Sequence, residues 1–217
     1  MQEHQKVHRS YEPVGTGITA EQWKTYFAGV YSTTGQDEDD DWQVRADATE
    51  EDDVLDVEIT PAEVLGAIGR LKSRKSPGAD GICAELVKSI KGLIAALLAQ
   101  MFSKLLLLGQ YPVAWTLAVV APIYKGKGGK NDPSSYRPIS LLPVLGKILT
   151  SILNKRLVWW LDQRQFIHEA QAGYRQDYST IDHALVLDTL VKEQLRKQKC
   201  KLYGCYVDIK KCFDSVN

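Results

Sequence analysis

The segment Tyr136–Leu141 (YRPISL) cannot lie inside a helix. Pro138 lacks a backbone N–H, its ring clashes with the preceding helical turn, and it pushes Arg137 out of the right-handed helical region. The segment is therefore extended. Just ahead of it, Leu117–Tyr124 (LAVVAPIY) is an apolar, strand-like run. The link between them, Lys125–Ser135, is a Lys- and Gly-bearing loop. Any fold for this chain must place two extended segments around a polar turn.

Helical patterns flank that pair. Thr60-Pro61-Ala62-Glu63 reads as a helix start: an N-cap hydroxyl, proline at the first helical position and a glutamate three residues after the cap. Val64, Leu65, Ile68 and Leu71 then fall on one face. Ser73–Gly81 (SRKSPGADG) is a basic Pro/Gly-rich loop. One long helix is expected over Ala84–Leu108, closed by Gly109. Its apolar stretch Leu93–Leu108 is interrupted by Gln100, Ser103 and Lys104, so it falls short of a membrane span and reads as a mostly buried helix. A 3.6-residue period returns over Leu145–Leu161. Gln171–Tyr178 is a loop, and Ser179 or Thr180 caps a further helix reaching about Lys197. Leu202–Ile209 (LYGCYVDI) reads as a buried strand. Trp23–Tyr31 has enough aromatic weight to dock on something as a short helix. Helices followed by strands mixed with helices give an α+β fold class.

Charge divides the chain. Residues 1–60 hold 4 Lys/Arg against 15 Asp/Glu, a net of −11. Residues 61–217 hold 23 against 12, a net of +11. Clustered like charges oppose compaction, so residues 1–53 are expected to be an acidic, weakly ordered extension. The basic remainder suits a polyanionic partner, although a basic excess spread so widely is equally a solvated surface. Cys83, Cys200, Cys205 and Cys212 form no CxxC pair and have no histidine at zinc-finger spacing. With a polar N-terminus, such cysteines fit an intracellular compartment.

Four blocks in this order resemble the reverse transcriptases of LINE-type, non-LTR retrotransposons. The first is Lys75–Ile82 (KSPGADGI) with Glu85. The second runs from Pro122–Lys125 (PIYK) through Tyr136–Leu141 to Lys147 and Leu153–Leu157 (LNKRL). The third is Gln171–Arg175 (QAGYR), then Ser179, Thr180 and Asp182. The fourth is Tyr206–Val216 (YVDIKKCFDSV). Together they cover about residues 54–217. The resemblance implies the fingers and the start of the palm of a right-hand polymerase, incomplete here. Residues 54–201 would be fingers-like, and residues 202–217 would carry the first palm strand. It implies RNA-templated DNA synthesis from a primer 3′-OH, with RNA template, DNA primer and dNTP as partners. No protein partner is inferable and no membrane is implied; a nuclear location rests on the resemblance alone.

The resemblance makes Asp208 the catalytic carboxylate and a ligand of Mg²⁺, a hard cation that takes oxygen ligands. On the residues alone, a turn or helix-capping aspartate is the plainer account of it. For the incoming dNTP, the matching positions are Arg137, Lys125, Lys127, Ile209 and Phe213. Arg137 offers a fork suited to phosphate, Ile209 a backbone N–H, and Phe213 a ring beneath the sugar. The lysines serve equally as a soluble turn, and Phe213 as a core residue. Asp214 belongs to the same block and is read as holding its surroundings rather than metal. Cys212 stands where the family has a small residue. Gln171, Gly173, Arg175 and Lys75 are the candidate nucleic-acid contacts, here with Tyr174 in place of the family's Phe. A basic, glycine-bearing loop with an aromatic suits backbone tracking and base stacking.

The family's Tyr-X-Asp-Asp turn does not occur before Asn217. The resemblance therefore leads us to expect no polymerase activity from residues 1–217 alone. The alternative of a different class is a non-catalytic nucleic-acid-binding remnant.

Overall fold

A computed structural model describes residues 17–31, 55–196 and 201–208. Most of the acidic extension, and with it Ile209, Phe213 and Asp214, lies outside the described residues. The described residues fall into two compact units, one within residues 1–155 and the other within 156–210.

In the first unit, helix starts follow their local chemistry. Helix α1 (Ala20–Tyr31) is capped by Thr19, whose hydroxyl accepts from the Gln22 N–H at 3.3 Å while Gln22 Oε1 accepts from the Thr19 N–H at 2.7 Å. Helix α2 (Pro61–Arg70) has the expected reciprocal cap: Thr60 Oγ1 accepts from the Glu63 N–H at 3.2 Å, and Glu63 Oε2 accepts from the Thr60 N–H at 2.9 Å. Val64 and Ile68 of α2 are fully buried, and Ala67 joins them where Leu65 was expected. Leu65 lies about a quarter-turn off that stripe and is exposed.

The single long helix expected over Ala84–Leu108 is instead two: α3 (Ala84–Ser89) and α4 (Lys91–Leu107). They part at Ile90, whose φ of −107° and ψ of 10° leave the helical well. The Ser89 hydroxyl donates to the Leu86 carbonyl at 2.7 Å, a local bond that competes with the helical ladder. Nor is α4 mostly buried: Ala95, Leu98, Ala99 and Phe102 face the core, whereas Leu93 is 85% exposed. No helix among the described residues is long and apolar enough to cross a membrane.

The core of this unit joins α2, α3, α4 and the first turns of α6 (Val144–Gln163) through Val64, Ile68, Val87, Phe102, Ile148 and Ile152. Ser103 is the polar group within it. Its Oγ accepts from the Ile59 N–H at 2.8 Å and donates to the Ala99 carbonyl at 2.9 Å, so no polar atom there is stranded. Before α6 comes the short helix α5 (Val113–Thr116), whose Trp115 packs edge-on to Phe102.

The two extended segments form an antiparallel pair, β1 (Val119–Tyr124) and β2 (Tyr136–Leu141). Pro122 faces Pro138 across the pair. Neither has an N–H to give, so they can face each other only at a non-hydrogen-bonded position. The phase that this imposes continues into the loop, where the Lys125 N–H donates to the Ser135 carbonyl at 2.9 Å. Tyr124 faces Tyr136, and α1 lies over this aromatic pair. Trp23 meets Tyr136 edge-on with centroids 5.0 Å apart and stacks on Phe27 at 5.4 Å. Trp23 Nε1 is buried there without a hydrogen-bond partner, so ring packing alone holds the contact.

The second unit contains the end of α6, a loop, and helix α7 (Thr180–Arg196). Ser179, rather than Thr180, is the cap of α7: its Oγ accepts from the Asp182 N–H at 3.3 Å and Asp182 Oδ2 accepts from the Ser179 N–H at 2.9 Å. The apolar run expected to be a buried strand at Leu202–Ile209 carries no regular structure over residues 201–208 and is exposed there. A strand needs neighbours for its backbone N–H and C=O groups. Among the described residues the only strands, β1 and β2, are paired with each other.

Two helix ends make a test of the capping chemistry. Helix α4 closes with Gly109 at φ 59°, the Gly109 N–H donating to the Leu106 carbonyl and the Gln110 N–H to the Leu105 carbonyl, each at 3.0 Å. Helix α6 closes with the same pair of bonds, Gln165 to Asp162 at 3.2 Å and Phe166 to Leu161 at 3.1 Å, but its left-handed residue is Gln165 at φ 52°. Phe166 then stacks on Trp160 at 5.4 Å, the apolar contact that accompanies such ends. Gly109→Ala should lower stability by about 1 kcal/mol, and Gln165→Gly should raise that of its own unit by about 0.5–1 kcal/mol, because only glycine takes this conformation without steric cost. Urea unfolding curves of both variants check the opposite signs.

Candidate nucleotide and nucleic-acid sites

The hairpin register decides what β1 and β2 present. Ile123 faces Arg137, and the pair continues one residue beyond Tyr124 and Tyr136 into Lys125 and Ser135. Lys125 and Arg137 are thus diagonal neighbours on one face, about 7–8 Å apart at Cα. That face is opposite the one carrying Tyr124 and Tyr136, which α1 covers. Arg137 is exposed, and its side chain makes no hydrogen bond or ion pair among the described residues. Lys125 is half-buried, and its Nζ donates to the Ser134 carbonyl at 2.6 Å. Lys127 is exposed.

The loop between the strands is built rather than slack. Gly126 (φ 77°) and Gly128 (φ 87°) take left-handed turns. The Tyr124 hydroxyl donates to the Gly128 carbonyl at 2.6 Å, and the Tyr136 hydroxyl donates to the Lys130 carbonyl at 2.8 Å. Asp132 caps a single 3-10 turn (Pro133–Ser135), accepting from the Ser134 N–H at 2.9 Å and from the Ser134 hydroxyl at 2.5 Å. Those two bonds hold the Asp132 carboxyl below its usual range.

Lys75 lies in the loop between α2 and α3 and is exposed. Gly78 of that loop is buried against the backbone of Leu142 and Pro143, and a Cβ there would come within 2.5 Å of both. The basic loop is therefore pinned to the stretch that joins β2 to α6. On its other side Arg74, at φ 58°, donates its N–H to the Glu85 carboxylate, and Lys88 Nζ donates to the Ser73 hydroxyl at 3.2 Å. The Arg74 bond lowers the Glu85 pKa below 4.5.

In the second unit, Gln171 and Gly173 are exposed loop residues. Arg175 is not a free cation. Its guanidinium lies 4.2 Å over the Tyr178 ring, approaches Asp162 Oδ1 at 4.0 Å, and donates to the His168 carbonyl at 3.4 Å, leaving the side chain 19% exposed. His168 organises the loop as well: its Nδ1 accepts from the Ala170 N–H at 3.1 Å and its carbonyl accepts from the Gln171 N–H at 2.9 Å. Sequence reading passed over His168, Asp162 and Tyr178. Only the Arg175-to-Tyr178 spacing, with an aromatic three residues after an arginine, could have pointed to one of them.

Asp208 is exposed in the irregular 201–208 stretch. No group of three or more His, Cys, Asp or Glu side chains that could hold a metal ion forms among the described residues. One carboxylate does not make a Mg²⁺ site, so these residues by themselves do not fit the ion.

Comparison with known proteins places these features in a family. Residues 126–217 match the family model described as "Reverse transcriptase (RNA-dependent DNA polymerase)". The chain is 36% identical over 167 residues to the "Putative 115 kDa protein in type-1 retrotransposable element R1DM" of Drosophila melanogaster, covering 73% of this chain and 16% of that protein. It is 30% identical over 167 residues to the "Probable RNA-directed DNA polymerase from transposon X-element" of Drosophila melanogaster, covering 75% and 18%. It is 32% identical over 160 residues to the "RNA-directed DNA polymerase from mobile element jockey" of Drosophila melanogaster, covering 73% and 17%. The chain thus spans less than a fifth of the length of these relatives.

Two outcomes test the basic loop. Gly78→Ala should cost about 1–3 kcal/mol in urea unfolding, since the new methyl group meets backbone rather than a movable side chain. The Glu85 bond should be fully present above pH 4.5 and lost as pH falls through the lowered folded-state pKa. The Arg74 amide resonance should shift on acidification with a midpoint below 4.5, and Glu85→Gln should abolish that titration.

Proposed function

The chain belongs to the reverse transcriptases of non-LTR retrotransposons, and we propose from this premise that it forms the nucleotide- and template-gripping part of an enzyme that copies RNA into DNA from a primer 3′-OH. On this reading residues 54–201 act as fingers and Leu202 onward opens the palm. The observation that carries the reading is the shared face of Arg137 and Lys125 on a proline-registered hairpin. Arg137 is the primary triphosphate ligand: it is unpaired among the described residues and its planar fork fits phosphate oxygens. Lys125 contributes charge from a position fixed by its bond to the Ser134 carbonyl, and Lys127 from an exposed side chain. Ile209 and Phe213 would complete the nucleotide site through a backbone N–H and a ring beneath the sugar.

In this proposal Asp208 would supply one oxygen ligand to Mg²⁺. The ion would stabilise the developing charge of phosphoryl transfer. What the chain's own residues do is bind and orient. Arg137 and Lys125 hold the triphosphate; Lys75 in the first unit, and Gln171 and Gly173 in the second, each contact nucleic acid in this proposal. Arg175 shapes the loop of the second unit through its stack on Tyr178 rather than by reaching for phosphate.

Primer extension on an RNA template, by protein containing residues 1–217 of this sequence, tests the assignments. Arg137→Ala should raise KM for dNTP about 10- to 100-fold with a smaller change in kcat, the pattern of a lost charge-assisted contact. Asp208→Asn should lower kcat by at least about a thousandfold, as expected for an electrostatic group at the reacting centre. Normal incorporation by Asp208→Asn would refute its catalytic role.

A further inference from the structure

The second unit holds a cleft of about 540 Å³ beside the loop 171–178, a volume within the range of small-ligand sites. Tyr174 and Tyr178 line it, together with Arg175, Asp162, Glu169 and His168. Its charge is wrong for phosphate. Asp162 and Glu169 contribute two carboxylates, and the guanidinium of Arg175 is already engaged with Asp162, the His168 carbonyl and the Tyr178 ring. An anion entering here would meet more negative than positive charge. A neutral, flat ring carrying N–H donors would meet aromatic faces and carboxylate acceptors.

Tyr174 sharpens the fit. It sits at φ 62°, a left-handed conformation that is costly for a bulky side chain, and it is 91% exposed at the cleft. Asp177, at φ 65°, bends the loop a second time. Strained residues of this kind persist where the surroundings impose them, commonly at ligand clamps. Here the strain presents a tyrosine ring to solvent at the mouth of a cleft walled by a second tyrosine.

We propose that this cleft is a subsite for one unpaired guanine base of a bound RNA strand, with Tyr174 stacking on the base and Glu169 accepting from its N1–H and N2 amino group. The inference rests on the reading that the chain grips RNA, and it adds base recognition to that grip. The strand's phosphates stay outside the cleft. Base–aromatic stacking is tolerant of sequence, and the carboxylate supplies the preference. It can accept two bonds from guanine, one from the amino group of cytosine or adenine, and one from the imino N–H of uracil.

Fluorescence anisotropy on the full chain tests this with three probes: a short labelled oligouridine, the same strand with one central guanine, and that guanine strand annealed to a complement. Wild type should bind the guanine strand about 5- to 100-fold more tightly than oligouridine, and annealing should remove the gain. Glu169→Gln should bring the guanine strand close to the oligouridine value. Tyr174→Ala should weaken both single strands about 5- to 100-fold without changing the slope of log K against log salt, because no phosphate contact is lost. Tyr174 is 91% exposed, and circular dichroism of both variants verifies that the fold is retained. RNA binding without guanine preference, or a preference kept by Glu169→Gln, would overturn this inference while leaving the broader reading in place. No RNA binding by wild type at low salt would overturn both.

Discussion

Two prolines face each other across a hairpin, and what the hairpin can present follows from that. Because neither Pro122 nor Pro138 has an N–H, their meeting fixes the phase of the strand pair. A slip of one residue would put a proline where a ladder bond is required and would turn every side chain to the opposite face. The phase sends Tyr124 and Tyr136 to one side, where α1 covers them, and Lys125 and Arg137 to the other. Aromatic burial on one face thus holds the cations on the other. The outward-facing prolines also offer no donors to an added strand, which limits unwanted edge pairing.

The loops that carry the other candidate residues are anchored in a similar way, by backbone rather than by long side chains. Gly78 brings the basic loop against Leu142 and Pro143, directly after β2, so this loop and the hairpin share one foundation. Arg74 and the Glu85 carboxylate hold its other end. In the second unit Arg175 behaves as a structural residue, stacked and paired, while the ring of Tyr174 beside it is exposed. The arginine of a recognisable motif can therefore be engaged within the fold, as Arg175 is by Tyr178, Asp162 and the His168 carbonyl.

How much of this could be read from sequence depended on how local the causes are. Thr60, Pro61 and Glu63 announce the start of α2 within a single turn, and Gly109 announces the end of α4. Pro138 fixes β2 as extended. The end of α6 was less legible, because Gln165 occupies a position at which glycine is the usual signal. The break at Ile90 depends on a serine back-bond and a backbone twist that periodicity does not report. Docking of α1 on the hairpin depends on contacts between residues more than a hundred positions apart, so the aromatic run Trp23–Tyr31 could signal that it docks but not where. The strand expected at Leu202–Ile209 failed for the same non-local reason, since apolar patterning cannot supply the neighbours a strand requires. The catalytic role proposed for Asp208 rests on resemblance to the family, since its described surroundings hold no further carboxylate cluster.

On the reading proposed above, the Arg137 and Lys125 face of the hairpin receives the triphosphate of the incoming nucleotide. An acyl-phosphate derivative of a deoxynucleotide tests it most directly, because it acylates lysines lying beside the terminal phosphate. With a primed RNA template present, mass spectrometry of the digested protein should find the label concentrated on Lys125 and Lys127, with unmodified dNTP competing it away. Label spread over the other lysines, or confined to them, would contradict the claim.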